Sequence, residues 1–283
     1  MRFTKLHGLG NDFLVVSEDA APDAARAGEL ARRICERHTG VGADGLLLLS
    51  LEAPARDETG FRVFNADGSQ AEISGNGLRC ALAWLAHHKK IGGRRVVFRT
   101  AAGKRTGDII ASSGTLYEVR MEMGTPRLRP EEIPFDDGRT RDRVLDYPMP
   151  IGQKVYEITG LSMGNPHCSI FVDHFPARIE WHQIGREIES HPFFPKRTNV
   201  EFIRVLDRGE IEVLFWERGV GETLSSGTGS SAAAVASMLK GLTDRTVKVR
   251  TSMGGLTVEW AADGQVYQTG PAEVVFEGEY PAC

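Results

Sequence analysis

Short segments run through most of the chain in which apolar and polar residues alternate, or in which apolar residues follow one another without a break, and both patterns predict strands. In the first half they cover residues 3–6, 13–17, 46–49, 61–64, 95–100, 107–112 and 115–123. In the second half they cover 154–159, 168–172, 200–206, 211–216, 247–251, 256–260, 266–269 and 273–276. Two stretches break the pattern. Residues 78–90 place Leu78, Leu82, Leu85 and Ala86 on one face, with Ala81 and Trp84 beside it, and residues 230–240 are equally rich in alanine. A helix apolar nearly all round is expected to be buried. Two more helices are expected at 23–38, where Leu30, Ile34 and Cys35 share a stripe, and at 181–189.

Each of the two buried helices follows a run of one form, Ser74-Gly75-Asn76-Gly77 and Ser226-Gly227-Thr228-Gly229. Glycine there lets the backbone turn tightly, so the first amides of the helix can face a ligand. Free amides and the helix dipole favour an anion. Either run alone reads as an ordinary turn with a serine N-cap. The repetition suggests a carboxylate or phosphate gripped from two sides. Two sets of strands, each with one buried helix, suggest a duplicated α+β domain. Residues 126–150, rich in proline and in charges of both signs, read as a solvated connection between domains.

Polar groups are expected in turns just after strands: Asn11, Asn65, Asn165, His167, Asn199, Glu217 and Arg218. Singly each has an ordinary explanation. Asn11 can hold a left-handed turn, and Arg218 can form a surface ion pair with Glu217. Together with the two helix starts they could line a cleft between the halves. There an arginine grips a carboxylate in bidentate fashion, and asparagines bind amino and carboxyl groups without adding charge.

Composition narrows the partners. The 283 residues carry a formal net charge of −4, which gives no electrostatic argument for nucleic acid or an anionic membrane. The opening residues Met1 to His7 do not read as an apolar leader, and the longest aliphatic run, residues 46–49, is far too short to span a bilayer. Cys35, Cys80, Cys168 and Cys283 are scattered and form no C-x-x-C pair, and the 8 histidines lack metal-ligand spacing. The glycines of residues 39–45 are not followed by Gly-Lys-(Ser/Thr), so they form no P-loop.

Over essentially its whole length the chain resembles the diaminopimelate epimerase family. The resemblance is carried by Phe3-Thr4-Lys5-Leu6-His7-Gly8-Leu9-Gly10-Asn11-Asp12-Phe13, Phe64-Asn65-Ala66-Asp67-Gly68-Ser69, Gly75-Asn76-Gly77-Leu78-Arg79-Cys80, Gly164-Asn165-Pro166-His167, Arg197-Thr198-Asn199-Val200-Glu201-Phe202 and Trp216-Glu217-Arg218-Gly219-Val220-Gly221-Glu222-Thr223. It implies an α+β fold of two pseudo-symmetric domains, each a barrel-like sheet wrapped around a central helix, with the site between them. The expected boundaries are 1–118, completed by a C-terminal strand at 268–283, and 119–267. It implies a cytoplasmic homodimer that inverts the α-carbon of LL-diaminopimelate to the meso form without metal or other cofactor, in lysine and cell-wall precursor synthesis.

Carried over residue by residue, the substrate α-carboxylate would sit on Gly75-Asn76 and Gly227-Thr228. Asn65, Asn165, Asn199, Glu217 and Arg218 would bind the distal amino-acid end, and Asn11 would lie close to the reacting centre. His167 and Glu217 would assist the two acid/base groups. The family places two cysteines there, one acting as thiolate base and the other as thiol acid. This chain has Ser74 and Ser226 in their places, and glycine (Gly45) where some members carry a glutamine. A hydroxyl titrates well above even tyrosine's ~10, and a helix dipole supplies about 0.3–2 kcal/mol, at most roughly 1.5 pKa units. Ser74 and Ser226 therefore need a neighbouring base if they are to move protons. Besides an epimerase, the residues allow a non-catalytic diaminopimelate-like amino-acid-binding protein, or an isomerase or dehydratase of a related amino or hydroxy acid.

Overall fold

The computed structural model describes residues 1–20, 26–51 and 58–281. Asp23, the expected start of the first helix, and Cys283 lie outside the described residues. The chain divides into two compact units, 1–122 with 269–283, and 123–268.

The first unit runs β1 (Arg2–Gly8), β2 (Asn11–Ser17), α1 (Ala27–Ile34), β3 (Gly45–Ser50), β4 (Glu58–Asn65), β5 (Gln70–Ala71), α2 (Gly75–His87), β6 (Arg95–Thr100), β7 (Gly103–Ser113) and β8 (Leu116–Gly124). The second runs β9 (Val144–Ile151), β10 (Lys154–Ser162), β11 (Pro166–Phe171), α3 (Arg178–Glu189), β12 (Asn199–Asp207), β13 (Glu210–Glu217), β14 (Gly221–Thr223), α4 (Gly227–Leu239), β15 (Thr246–Thr251) and β16 (Gly254–Trp260). The last strand, β17 (Val266–Glu279), carries the chain back into the first unit.

In the first unit β1, β2, β3, β4, β6, β7, β8 and β17 pair in that order, and β17 pairs back with β1, closing a ring. A closed ring leaves no open sheet edge. Helix α2 packs against β1, β2, β3 and β7, and is buried from Gly75 to Leu85. Each fully buried leucine on it contributes roughly 1.5–3 kcal/mol. In the second unit β9, β10, β11, β12, β13, β15 and β16 pair in sequence around α4, which is buried from Gly227 to Ser237.

The pairing registers repeat residue for residue. Leu14 pairs with Leu46, Leu46 with Phe64 and Phe64 with Gln70. Cys168 pairs with Val200, Val200 with Trp216 and Trp216 with Glu222. The parallel pairs correspond as well: β2 with β3 and β11 with β12, and, across the buried helix, β4 with β6 and β13 with β15. On this register Asn11 corresponds to Asn165, Phe13 to His167, Leu47 to Glu201, Asn65 to Glu217 and Ser74 to Ser226.

Several expectations are corrected. Residues 126–150 are not a solvated connection: Pro130, Ile133, Phe135, Val144 and Met149 are buried, and the last four join Trp181, Ile188 and Phe202 in one core. Its mixed charges conceal an apolar residue every few positions. The region 23–38 is helical only over Ala27–Ile34 among the described residues, ending at Cys35. Both buried helices start earlier than periodicity indicates, at Gly75 and Gly227, because the glycines form the first turn. Residues 266–269 and 273–276 belong to one strand, which Gly270-Pro271 does not interrupt.

Candidate active site

The polar residues sit mostly on strand ends and not in turns. Asn11 opens β2, Asn65 closes β4, His167 lies inside β11, Asn199 opens β12 and Glu217 closes β13. Asn165 and Arg218 lie just outside strands. The left-handed positions of the first turn are Leu9, with φ 53°, and Gly10, with φ 79°, so Asn11 itself is part of the ladder. A strand end fixes a side chain more firmly than a turn does, because ladder hydrogen bonds hold its backbone on both sides.

In the first unit Ser74 is the N-cap of α2 and accepts a hydrogen bond from the Gly77 amide at 3.0 Å. A line of side chains runs beside it. Asn76 Nδ2 donates to Asn11 Oδ1 at 3.1 Å, and Asn11 Nδ2 donates to Asp44 Oδ2 at 2.8 Å. Arg37 bridges Asp44 and Asp12, and Lys5 lies 2.9 Å from Asp12. Burial alone would raise the Asp12 carboxyl, but hydrogen bonds from Arg37 and Lys5 outweigh it and hold it below the usual value. From the other side, the wholly buried Arg79 donates to Asn76 Oδ1 at 2.7 Å and to the Pro271 carbonyl at 3.1 Å. Asn65 is exposed and donates to Ser69 Oγ at 3.0 Å.

The second unit is wired differently. Ser226 caps α4, accepts from the Gly229 amide at 3.2 Å and donates to Glu217 Oε2 at 3.1 Å. Thr223 Oγ1 donates to Glu217 Oε1 at 2.6 Å. Burial raises the Glu217 carboxyl, and those two hydrogen bonds only partly offset it. His167, with no exposed surface, meets Glu201 Oε1 at 2.6 Å through Nδ1 and Asn165 Oδ1 at 2.9 Å through Nε2. Asn165 Nδ2 donates to Thr228 Oγ1 at 3.3 Å. Asn199 donates to the Pro166 carbonyl and accepts from the Arg218 amide, which leaves it one N–H and one lone pair. The Arg218 guanidinium donates to the Lys196 carbonyl. The buried Glu189 holds this turn from behind, accepting from Trp216 Nε1, the Gly219 amide and Arg197 at 2.8 Å each.

The expected residues therefore gather into two groups. Asn11, Asn76 and Ser74 belong to the first unit, and Asn165, His167, Asn199, Glu217, Arg218, Ser226 and Thr228 to the second. Sequence reasoning did not single out Glu201, Glu189, Asp44 or Arg79. Glu201 carried a signal all the same, a charge in the otherwise apolar run Val200-Glu201-Phe202-Ile203. No other cysteine replaces a thiol at the caps among the described residues. Cys35, Cys80 and Cys168 are all buried, and burial pushes the first two up to about 12 and the third well above its ordinary value.

The family profile of diaminopimelate epimerase matches residues 3–129 and 159–275. The chain belongs to the diaminopimelate epimerase family. It is 47% identical to the diaminopimelate epimerase of Pelotomaculum thermopropionicum over 284 residues, covering 99% of each chain. It is 43% identical to that of Moorella thermoacetica over 282 residues, again covering 99% of each. Among solved structures, a predicted epimerase from Pseudomonas aeruginosa matches with a TM-score of 0.71 at 17% identity, over 100% of this chain and 99% of that one. A hydroxyproline epimerase from Agrobacterium vitis, with bound trans-4-hydroxy-L-proline, matches with a TM-score of 0.71 at 15% identity, over 98% and 91%. These structures share the two-domain α+β fold. Members of the diaminopimelate epimerase family are isomerases, and among the described residues of this one no helix is long and apolar enough to cross a membrane.

Proposed function

We propose that this chain binds diaminopimelate and interconverts its LL and meso forms by proton transfer at the α-carbon, without a cofactor, with Ser74 and Ser226 at the two proton-transfer positions. The observation that carries this reading is the repeated N-cap: each serine stands at the start of a buried helix, on equivalent positions of a duplicated fold. The amides of Gly75-Asn76 and Gly227-Thr228 would receive the α-carboxylate. Asn65, Asn165, Asn199, Glu217 and Arg218 would hold the distal end, and Asn11 would lie near the reacting carbon.

Proton movement at Ser226 has a route. Its hydroxyl already donates to Glu217, so the carboxylate can take that proton as the oxygen takes one from carbon. The carboxyl raised by burial lies closer to neutrality, which suits a general base. Ser74 accepts only a backbone amide among its described contacts, so its hydroxyl is the slower partner and turnover is slow. The same serines favour one second reading, an amino-acid-binding protein on this fold.

Deuterium uptake at the α-carbon of LL- and meso-diaminopimelate in heavy water separates the two. The parent should exchange slowly, and the Ser74→Cys, Ser226→Cys variant should gain roughly 10²–10⁴-fold, the usual contribution of general acid–base catalysis. Binding without exchange in either protein leaves the binding-protein reading. We further propose a cytoplasmic homodimer, which light scattering after size exclusion tests as regards assembly.

A further inference from the structure

Glu201 and His167 form a buried acid–base pair that the architecture does not require. Glu201 has 1% of its surface exposed and His167 none. At the equivalent positions the first unit carries Leu47 and Phe13, and the ring around α2 closes over them. A buried carboxylate costs several kcal/mol unless it is paired, so an apolar pair is the easier filling for this place in the fold.

The pair heads a continuous line of contacts. Ser169 Oγ donates to Glu201 Oε2 at 3.4 Å, and Glu201 Oε1 meets His167 Nδ1 at 2.6 Å. His167 Nε2 then meets Asn165 Oδ1, whose amide nitrogen donates to Thr228 Oγ1. Thr228 is the second residue of α4, two positions beyond Ser226. The direction of each bond constrains the next. Since Asn165 turns its oxygen to the ring, Nε2 carries a hydrogen. Since Asn165 turns its nitrogen to Thr228, the threonine oxygen is an acceptor there, and its own hydrogen is left for another group.

We propose that Glu201 is a positioning residue for the second half of the site: as a neutral carboxyl it donates to Nδ1, so the hydrogen of the ring stays on Nε2, which sets the Asn165 amide and makes Thr228 present its hydroxyl hydrogen to an anion at the start of α4. The ligand class, a carboxylate, rests on the proposed function above. With Nε2 bare, Asn165 would turn its nitrogen to the ring and its oxygen to Thr228. The threonine hydrogen would then be used internally, and the anion would lose a donor.

The test uses full-length protein and meso-diaminopimelate as probe. Glu201→Gln can donate to Nδ1 and preserve the direction of the line, so its affinity should fall by less than threefold. Glu201→Leu cannot, and should weaken binding at least tenfold, about 1.4 kcal/mol. The Glu201→Leu, His167→Phe variant copies the apolar pair of the first unit. It should melt as the parent does and bind as weakly as Glu201→Leu. Nitrogen-15 spectra of the imidazole should show a hydrogen on Nε2 in the parent and in Glu201→Gln between about pH 5 and 8. A bare Nε2 in the parent, or parent-like affinity in Glu201→Leu, overturns the proposal. A parent that binds no diaminopimelate defeats the proposed function instead, and the Nε2 spectrum then decides this inference alone.

Discussion

Of two thiols introduced at the caps, the one at the second cap should titrate higher than the one at the first. Both Ser74→Cys and Ser226→Cys place sulfur at the N-terminus of a helix of 13 residues. The dipole there lowers a thiol by about 0.3–2 kcal/mol, at most roughly 1.5 pKa units below ~8.5. The second position also faces Glu217, whose Oε2 lies 3.1 Å from the present hydroxyl. Two negative charges about 4 Å apart at an effective dielectric of about 20 repel by about 4 kcal/mol, roughly three pKa units as an upper bound. Glu217 keeps part of its surface exposed, and solvent screening leaves about a third of that, roughly one unit. The dipole acts at both caps and the carboxylate only at the second, so the two thiols should differ by about one unit. The Ser74→Cys thiol should titrate below about 8.5 and the Ser226→Cys thiol about one unit above that thiol. Alkylation rate against pH reads both. The native Cys35, Cys80 and Cys168 are buried and stay silent, and Cys283→Ser in both backgrounds removes the remaining thiol. Equal titration, or the lower value at the second cap, would refute the reasoning.

A Cβ at Gly229 would stand 2.9 Å from Phe215 Cδ1 and 3.0 Å from Ser226 Cβ, so Gly229→Ala should cost about 1–3 kcal/mol in chemical unfolding, whereas Gly92→Ala, in open space, should stay within about 0.5 kcal/mol. Arg79→Met removes the buried hydrogen bonds to the Asn76 oxygen and the Pro271 carbonyl, and should destabilise by roughly 1–3 kcal/mol; an unchanged urea midpoint would contradict the role given to that side chain. The Asp12 carboxyl lies below its unfolded value of ~3.9, so its stabilisation is fully present above about pH 5 and is lost as pH falls through the folded value. The stability gap between parent and Asp12→Asn should therefore shrink steadily from pH 5 downward, and a gap that persists to pH 2 would argue against the ion pairs as its source.

Much of this site was visible in the chain before any folding. The two Ser-Gly-x-Gly starts were recognisable because a serine cap followed by glycine has one inexpensive use, the first turn of a helix. The strands were visible from period-two alternation or short unbroken apolar runs, and the burial of both alanine-rich helices from the lack of a polar face. Residues 126–150 misled because counting charges says nothing about the apolar residues between them, and Ile133, Phe135 and Met149 acquire a core only when β10 and α3 arrive from further along the chain. Asn165 and His167 read as parts of a turn because Gly164 and Pro166 punctuate that stretch, yet His167 pairs with Asn199 inside the sheet.

What the sequence determined by itself was local and repetitive: which segments are strands, which two helices are buried, and that serine begins both. These depend on neighbours a few residues apart. Tertiary structure alone decided which polar groups share a proton. Glu201 and His167 are 34 residues apart in the chain, and Glu217 and Ser226 lie on different elements. Their contacts exist because the β11–β12 and β12–β13 registers bring strand ends together. The same registers reveal that the first unit fills the equivalent places with leucine, phenylalanine and asparagine. A duplicated fold dictates where side chains go. The difference in chemistry between its halves appears only once the strands are paired.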